Sequence, residues 1–489
     1  MSPKTSGYLC RLALLSLAVV AFVAAGCGGS SVVSTGTTST APTGSSFVVG
    51  TDAPLASVVS FNTTIEVTAT PVGATAGGSS DVTLVSNQSV DFARYNGLQT
   101  LLDQNQVTAQ SYQSVTITLG AGTISYLNVP TSGPPTIPTP PISVTYASGS
   151  NPVTVTLKSP FVVPTTGAPT GLRIDFDLAK SIQVDTSGAI TGTVTPTFDV
   201  STVKNSDNAA HIDEFVGAVV QTPQTATPDD FVIQGPHGEQ FTVVTDSKTE
   251  WDGSASLTSL NANSVVAIAG QMDKADQSLD ADEIAILTDS HFYAGGLITY
   301  VAPPTGEATT MDLYVRRVLP SQLADVPLGG IAEVNISGKE NYGVYWMHNA
   351  FTELLFNSYA LTPGQEIAVG GTDAEADPSS GTAITVNRIH LQNWGYNGTI
   401  EPKSQNASQG SFTMKITGFA GQVVPTDVTV YLGPQCDFRY GFGAFTDLAD
   451  SAKVRVVGLL LKNSSNGNLV LLARHVDGLD FTDFATFAF

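Results

Sequence analysis

Apolar residues recur at every second position in short runs at 60–70, 115–119, 143–146, 153–157, 172–178 and 190–200. A period of two is the pleat of a strand with one buried face, and the Gly, Pro, Asn and Ser clusters between the runs supply turns. That spacing predicts a β-sandwich over 48–204. The less regular stretch 93–103 predicts one short helix. Residues 130–141 carry so many prolines that they predict a semi-rigid surface connection, because proline donates nothing to a β-ladder.

Beyond Asn205 the pattern repeats. Three segments open on a glycine followed two residues later by a branched aliphatic: Gly217 and Val219, Gly296 and Ile298, Gly398 and Ile400. Each continues through an apolar strand ending in Gly270, Gly370 or Gly458. Each closes on an apolar pair three apart: Ala281 and Ile284, Val386 and Ile389, Ala473 and Val476. In the first copy strands are expected at 215–221, 230–234, 240–245, 264–272 and 281–287, with a helical turn at 254–260. Five strands with a turn of helix between the third and fourth is the plan of an OB-like barrel, whose closure removes exposed edges. The expected fold is therefore all-β: an N-terminal β-sandwich followed by three small OB-like β-barrel repeats, at 211–290, 292–394 and 395–484.

Composition agrees. The 489 residues include 46 Gly and 27 Pro, and only 13% are charged. Twenty basic against 42 acidic residues leave a net charge of −22. Such a surface repels phosphate backbones, so no nucleic-acid partner is expected.

The first 26 residues read differently. Lys4 and Arg11 precede an apolar run at 12–25, too short to span ~30 Å of hydrocarbon comfortably, as in a cleaved export signal. It ends in Ala24-Ala25-Gly26-Cys27, which resembles the lipobox of bacterial lipoproteins, although Ala24 replaces the usual Leu or Val. That resemblance implies lipidation of Cys27, a membrane anchor through its acyl chains, and, since Gly28 rather than Asp follows, the outer membrane. Residues 27–47 are almost wholly Gly, Ser, Thr, Val, Ala and Pro without charge, and are expected to form a flexible tether.

Two family resemblances follow. Thr51-Asp-Ala-Pro54, 90–97 (VDFARYNG), 109–117 and 172–178 are similar to the bacterial domain-of-unknown-function family 4382. Thr249-Glu-Trp251, Leu260, 265–270 and 279–284 make the repeats similar to domain-of-unknown-function family 5666. Neither resemblance implies an activity.

Chemistry is sparse. No Gly-x-Ser-x-Gly elbow and no phosphate-binding Gly-x-x-x-x-Gly-Lys-Ser/Thr occurs. His211, His237, His291, His348, His390 and His475 form no local pair of zinc-ligand spacing. Of Cys10, Cys27 and Cys436 the first leaves with the signal, so no disulfide framework is possible, and Cys436 is expected to be a packed thiol. Asp273, Asp276, Asp280, Asp282 and Glu283 suit a hard cation such as Ca²⁺. With Lys274 among them, they suit a solvated hairpin tip better. Asp175 and Asp177 share one strand face, as paired acids of a glycosidase do and as any wet strand face does. Trp251, Tyr345, Trp346, Trp394 and Tyr396 are either core plugs or rings that stack on sugars. No catalytic residue and no cofactor is expected. These features predict a lipid-anchored envelope protein with a non-enzymatic role toward glycan or protein partners. The alternatives are an envelope carbohydrate-active enzyme whose acids come from distant segments, and a Ca²⁺-stabilised structural or adhesion protein.

Overall fold

The computed structural model describes residues 41–478 except 54–56, 131–132, 168, 187–188, 205–209, 236–239, 252–254, 263, 273–277, 288–291, 320–325, 345–353, 372–382, 417–425 and 464–465. Cys27, the tether up to residue 40, Asp273, Asp276, Tyr345, Trp346, His237, His291 and His348 lie outside the described residues.

The fold is all-β. In the N-terminal part, a four-stranded sheet runs in the order Phe198–Lys204, Thr170–Asp177, Thr43–Ala53, Thr100–Thr108. A second sheet is built around Val58–Pro71, with Val82–Asp91, Thr123–Tyr126, Ser111–Leu119 and Val153–Val162 about it. Along Val58–Pro71 every second residue from Phe61 to Ala69 is buried. These side chains meet Val48, Ile174 and Phe176 of the first sheet in one core, where Phe61 lies edge-on to Phe176 at 5.1 Å. Burying such a ring stabilises the sandwich by about 1.5–3 kcal/mol.

Two expectations are corrected here. The tether expected at 27–47 ends sooner, because Thr43–Ala53 is a strand, paired with Thr100–Thr108 on one side and parallel to Thr170–Asp177 on the other. Its first residues are small and uncharged, and they hydrogen-bond through their backbone whatever their side chains. The helix expected at 93–103 is a single 3₁₀ turn, Phe92–Tyr95, followed by the Thr100–Thr108 strand. Gly97 at φ +72° turns the chain out of the helical path between them.

The first repeat has strands Ile212–Gln221, Asp230–Gln234, Gln240–Val244, Val265–Met272 and Leu279–Ile286, with a 3₁₀ turn Leu257–Ser259 between the third and fourth. Parallel pairing of Val243 with Leu279 closes the barrel. The third repeat closes in the same order: Trp394–Ile400, Ser411–Ile416, Thr426–Arg439, Leu469–Gly478, Lys453–Lys462. Trp394, assigned by sequence to the end of the second repeat, is thus the first strand residue of the third. The middle repeat uses the same plan with its last strand broken into Ala383–Thr385 and Arg388–Gln392. The recurring glycines mark barrel corners. A Cβ on Gly270 would sit 2.0 Å from the Asp280 carbonyl oxygen, and one on Gly458 would sit 1.9 Å from that of Leu472, each at a shift in strand register.

In the middle barrel Asp312 lies directly across from Glu333. Burial, and then the Glu333 charge, push the Asp312 carboxyl up from its ordinary 3.8 to about 6. A raised acid binds its proton more tightly when folded, so its penalty is absent below pH 4 and complete above pH 6. Asp312→Asn is therefore expected to raise the melting temperature at pH 7.5 and leave it unchanged at pH 4, measured by differential scanning calorimetry. An equal shift at both values would refute the assignment.

Candidate functional site

The described residues from Pro42 to Gly478 belong to one compact unit. Apolar cores that cross the boundaries between parts explain why. Phe47, Val49 and Leu101 of the sandwich pack into the first barrel, and Leu98 packs into the third. Val59 and Leu127 pack against Leu297 and Tyr314 of the second. Leu459 and Leu472 of the third barrel join the core of the second.

At the centre of these contacts the sandwich segment 91–99 meets all three barrels. The Gln99 carbonyl accepts from the Asp213 N–H at 2.8 Å, and the Gln99 N–H donates to the Asp213 carboxylate at 2.9 Å. Asn96 Nδ2 donates to the Gly395 carbonyl at 2.7 Å. Arg94 pairs with Glu214 of the first barrel, and Glu214 also pairs with Arg317 of the second. Arg316 donates twice to the Val59 carbonyl at 3.2 and 3.0 Å, pairs with Glu366 at 3.0 Å and lies 4.3 Å over the Trp394 ring. From the third barrel Arg474 reaches Asp213 at 3.4 Å.

The network extends through the third barrel. His475 is fully buried and holds Asp477 at 2.9 Å, while Arg455 donates to Asn397 at 3.0 Å. Arg173 of the sandwich pairs with Asp175 at 2.7 Å and lies 4.5 Å over the Tyr440 ring. Burial pushes the Asp213 and Glu214 carboxyls up. For Asp213 the neighbouring His211, Arg474 and Arg439 outweigh it, and for Glu214 Arg317 and Arg94 do, so both stay below the usual carboxylate range. For Glu366 burial wins over Arg316, Arg317 and Arg94, and its carboxyl is raised. A guanidinium stays charged, forks onto two acceptors and stacks on rings, whereas a lysine ammonium holds its water. This chain obeys that division: Arg94, Arg173, Arg316, Arg317, Arg439, Arg455 and Arg474 are buried or nearly so, while Lys158, Lys204, Lys248, Lys403 and Lys415 are exposed.

The junction holds a small cleft of about 20 Å³ lined by Arg94, Arg317, Glu366, Asn393, Trp394 and Arg474 among others. That is room for about one water. A sugar ring does not fit. Chemically the arrangement joins β units to one another.

The residues singled out by sequence fall as follows. Trp394 and Tyr396 are 5% and 1% exposed, Trp394 stacked on Arg316 and Tyr396 donating its hydroxyl to the Gly364 carbonyl at 3.0 Å. They are core residues, which removes them as sugar platforms. Trp251 is half-buried against the first barrel's core, on a short strand parallel to Leu279–Ile286. Asp280 and Asp282 are exposed on that last strand, and Asp282 lies 3.1 Å from His211 Nε2. Among the described residues no three His, Cys, Asp or Glu side chains converge as metal ligands. Asp175 is bound to Arg173, and Asp177 caps the short helix Leu178–Ser181 and pairs with Lys180, so the two acids serve separate contacts. Burial, and then Asp437, push the half-buried Cys436 thiol up to about 12, which leaves it protonated and unreactive. The arginine network was missed. Its signal was present: charged residues inside apolar strands, as in Leu313-Tyr-Val-Arg-Arg-Val318 and Val454-Arg-Val456.

Residues 45–191 match a family described as a domain of unknown function (DUF4382). No curated protein matches the chain. Among solved structures, Drosophila Unr CSD456 is 11% identical, covering 55% of this chain and 98% of its own, with a TM-score of 0.13. A multidomain protein with nucleic acid binding domains from Streptococcus pneumoniae is also 11% identical, covering 53% of this chain and 72% of its own, with a TM-score of 0.10. At such TM-scores the fold rests on the strand pairings above.

Proposed function

We propose that this is a lipid-anchored cell-envelope protein, held to the outer membrane through Cys27, with a non-enzymatic binding or structural role. Its β units act as one preassembled body offered to glycan or protein partners. The observation that carries this reading is the central junction. Four β units are joined by shared apolar cores and a buried arginine–carboxylate network, which supports a role in which their outer surfaces meet other molecules. Binding by a body already in its final arrangement loses little entropy of ordering, which suits a display role. The lipobox resemblance at 24–27 supports the anchor.

Metabolic labelling with radioactive palmitate in a Gram-negative host tests the anchor. The wild-type chain is expected to incorporate label, and Cys27→Ser to incorporate none while keeping its β-type circular dichroism. Equal labelling of the variant overturns the anchor. A soluble fragment for binding assays must begin no later than Pro42, since Thr43 already pairs with Thr108.

A further inference from the structure

On the middle barrel the exposed Glu307 carboxylate and the buried Glu340 carboxylate lie around the rings of Tyr342, Phe356 and Tyr359. Ser358 Oγ donates to Glu307 Oε1 at 3.0 Å and the Tyr359 hydroxyl donates to Glu307 Oε2 at 3.3 Å. Glu340 accepts from the Ser337 N–H and hydroxyl, each at 2.6 Å, from the Gly338 N–H at 3.0 Å and from the Tyr342 hydroxyl at 3.3 Å. The Tyr342 hydroxyl also faces Glu307 and Ser358, which ties the two halves together. Tyr342 and Phe356 lock edge to face at 5.6 Å. Beside them Leu355 is 63% exposed and Tyr359 is 44% exposed.

We propose that this surface binds a neutral glycan, with the Tyr359 ring under the C–H face of a sugar and Glu307 accepting from its hydroxyls. The proposal rests on the envelope-display reading above and gives it a ligand class and a site. The chemistry selects the occupant. A phosphate-rich or uronate-rich polymer meets the exposed Glu307 carboxylate on a chain of net charge −22 and is repelled. A cationic peptide wants a free carboxylate fork, but both oxygens of Glu307 and of Glu340 already accept hydrogen bonds, and Lys339 stands exposed between Gly338 and Glu340. What Glu307 retains is single lone pairs, one or so per oxygen, which suit individual hydroxyl donors. The hydroxyl-to-carboxylate chain of Tyr342, Ser358 and Tyr359 continues outward in the same chemistry. An exposed ring beside such acceptors offers the apolar and polar halves that a pyranose needs.

Affinity electrophoresis of the mature chain through gels containing dextran, galactomannan or β-1,3-glucan tests it. The wild-type protein is expected to be retarded by at least one of the three. Tyr359→Ala and Glu307→Gln should each weaken that retardation about tenfold, and Tyr359→Phe should keep most of it, with all melting temperatures alike. Retardation unchanged in Tyr359→Ala and Glu307→Gln overturns this site and leaves the glycan-display reading standing. Absence of wild-type retardation in all three gels overturns the glycan class, as does retention on immobilised polylysine that is lost in Glu307→Gln.

Discussion

Glu214→Ala is expected to cost about 3–5 kcal/mol of stability. The carboxylate lies between Arg94 and Arg317, and its side chain is only 13% exposed. Removing it leaves two guanidinium groups close together and largely out of water. Urea unfolding followed by tryptophan fluorescence measures the effect, and a loss under 1 kcal/mol would refute the account. The compensated variant Arg94→Met, Glu214→Met, Arg317→Met should recover most of the loss, because apolar groups of similar size fill the space without uncompensated charge. The same carboxylate gives a pH signature. Its folded pKa lies below the unfolded value, so its contribution is complete above about pH 4.5 and fades as pH falls through the folded pKa. In Glu214→Gln the acid limb of the stability curve should be shallower than in wild type.

Gly395→Ala should separate the sandwich from the third barrel. The added Cβ would lie 2.1 Å from the Asn96 carbonyl oxygen and 2.8 Å from its carbon. Both atoms are backbone, so no side-chain rotation relieves the clash, and the Asn96 to Gly395 hydrogen bond is pushed apart with it. Overpacking of this kind costs about 1–3 kcal/mol, occasionally more. The expected readout is local: hydrogen exchange should quicken at Asn96 to Gln99 and at Trp394 to Asn397, while the Phe61 and Phe176 core stays protected. Uniform quickening across the sandwich would mean that the segment carries its fold rather than its docking. Asn96→Ala, which loses the bond without a clash, should give a smaller shift in the same residues.

Both substitutions act on partners of the segment VDFARYNG at 90–97, which sequence resemblance marks without indicating its use. Its parts now have physical roles. The Asp91 carboxylate accepts from the Phe61 N–H at 2.8 Å, Arg94 pairs across to the first barrel, Asn96 reaches the third, and Gly97 turns the chain between them. A Cβ on Gly97 would also meet the Arg455 side chain at 2.4 Å.

What the chain determines by itself is local and periodic. Alternation of apolar and polar residues set the strands of the sandwich, because a pleated strand with one buried face has no other economical pattern. Recurring glycines such as Gly270 and Gly458 marked the repeat, because a close backbone approach at a shift in register leaves no room for a Cβ there. Those signals lie within a few residues of their consequences. The tertiary structure alone decided the rest. Residues 93–103 read as helical, yet pairing with Thr43–Ala53 placed Thr100–Thr108 in a sheet, since strand pairing depends on a partner far away in sequence. Trp394 and Tyr396 carry the same rings whether they face a sugar or a core, and the packing of the barrels against the sandwich buried them. The arginine network draws on residues from 94 to 474, and only the folded chain brings a guanidinium to its carboxylate.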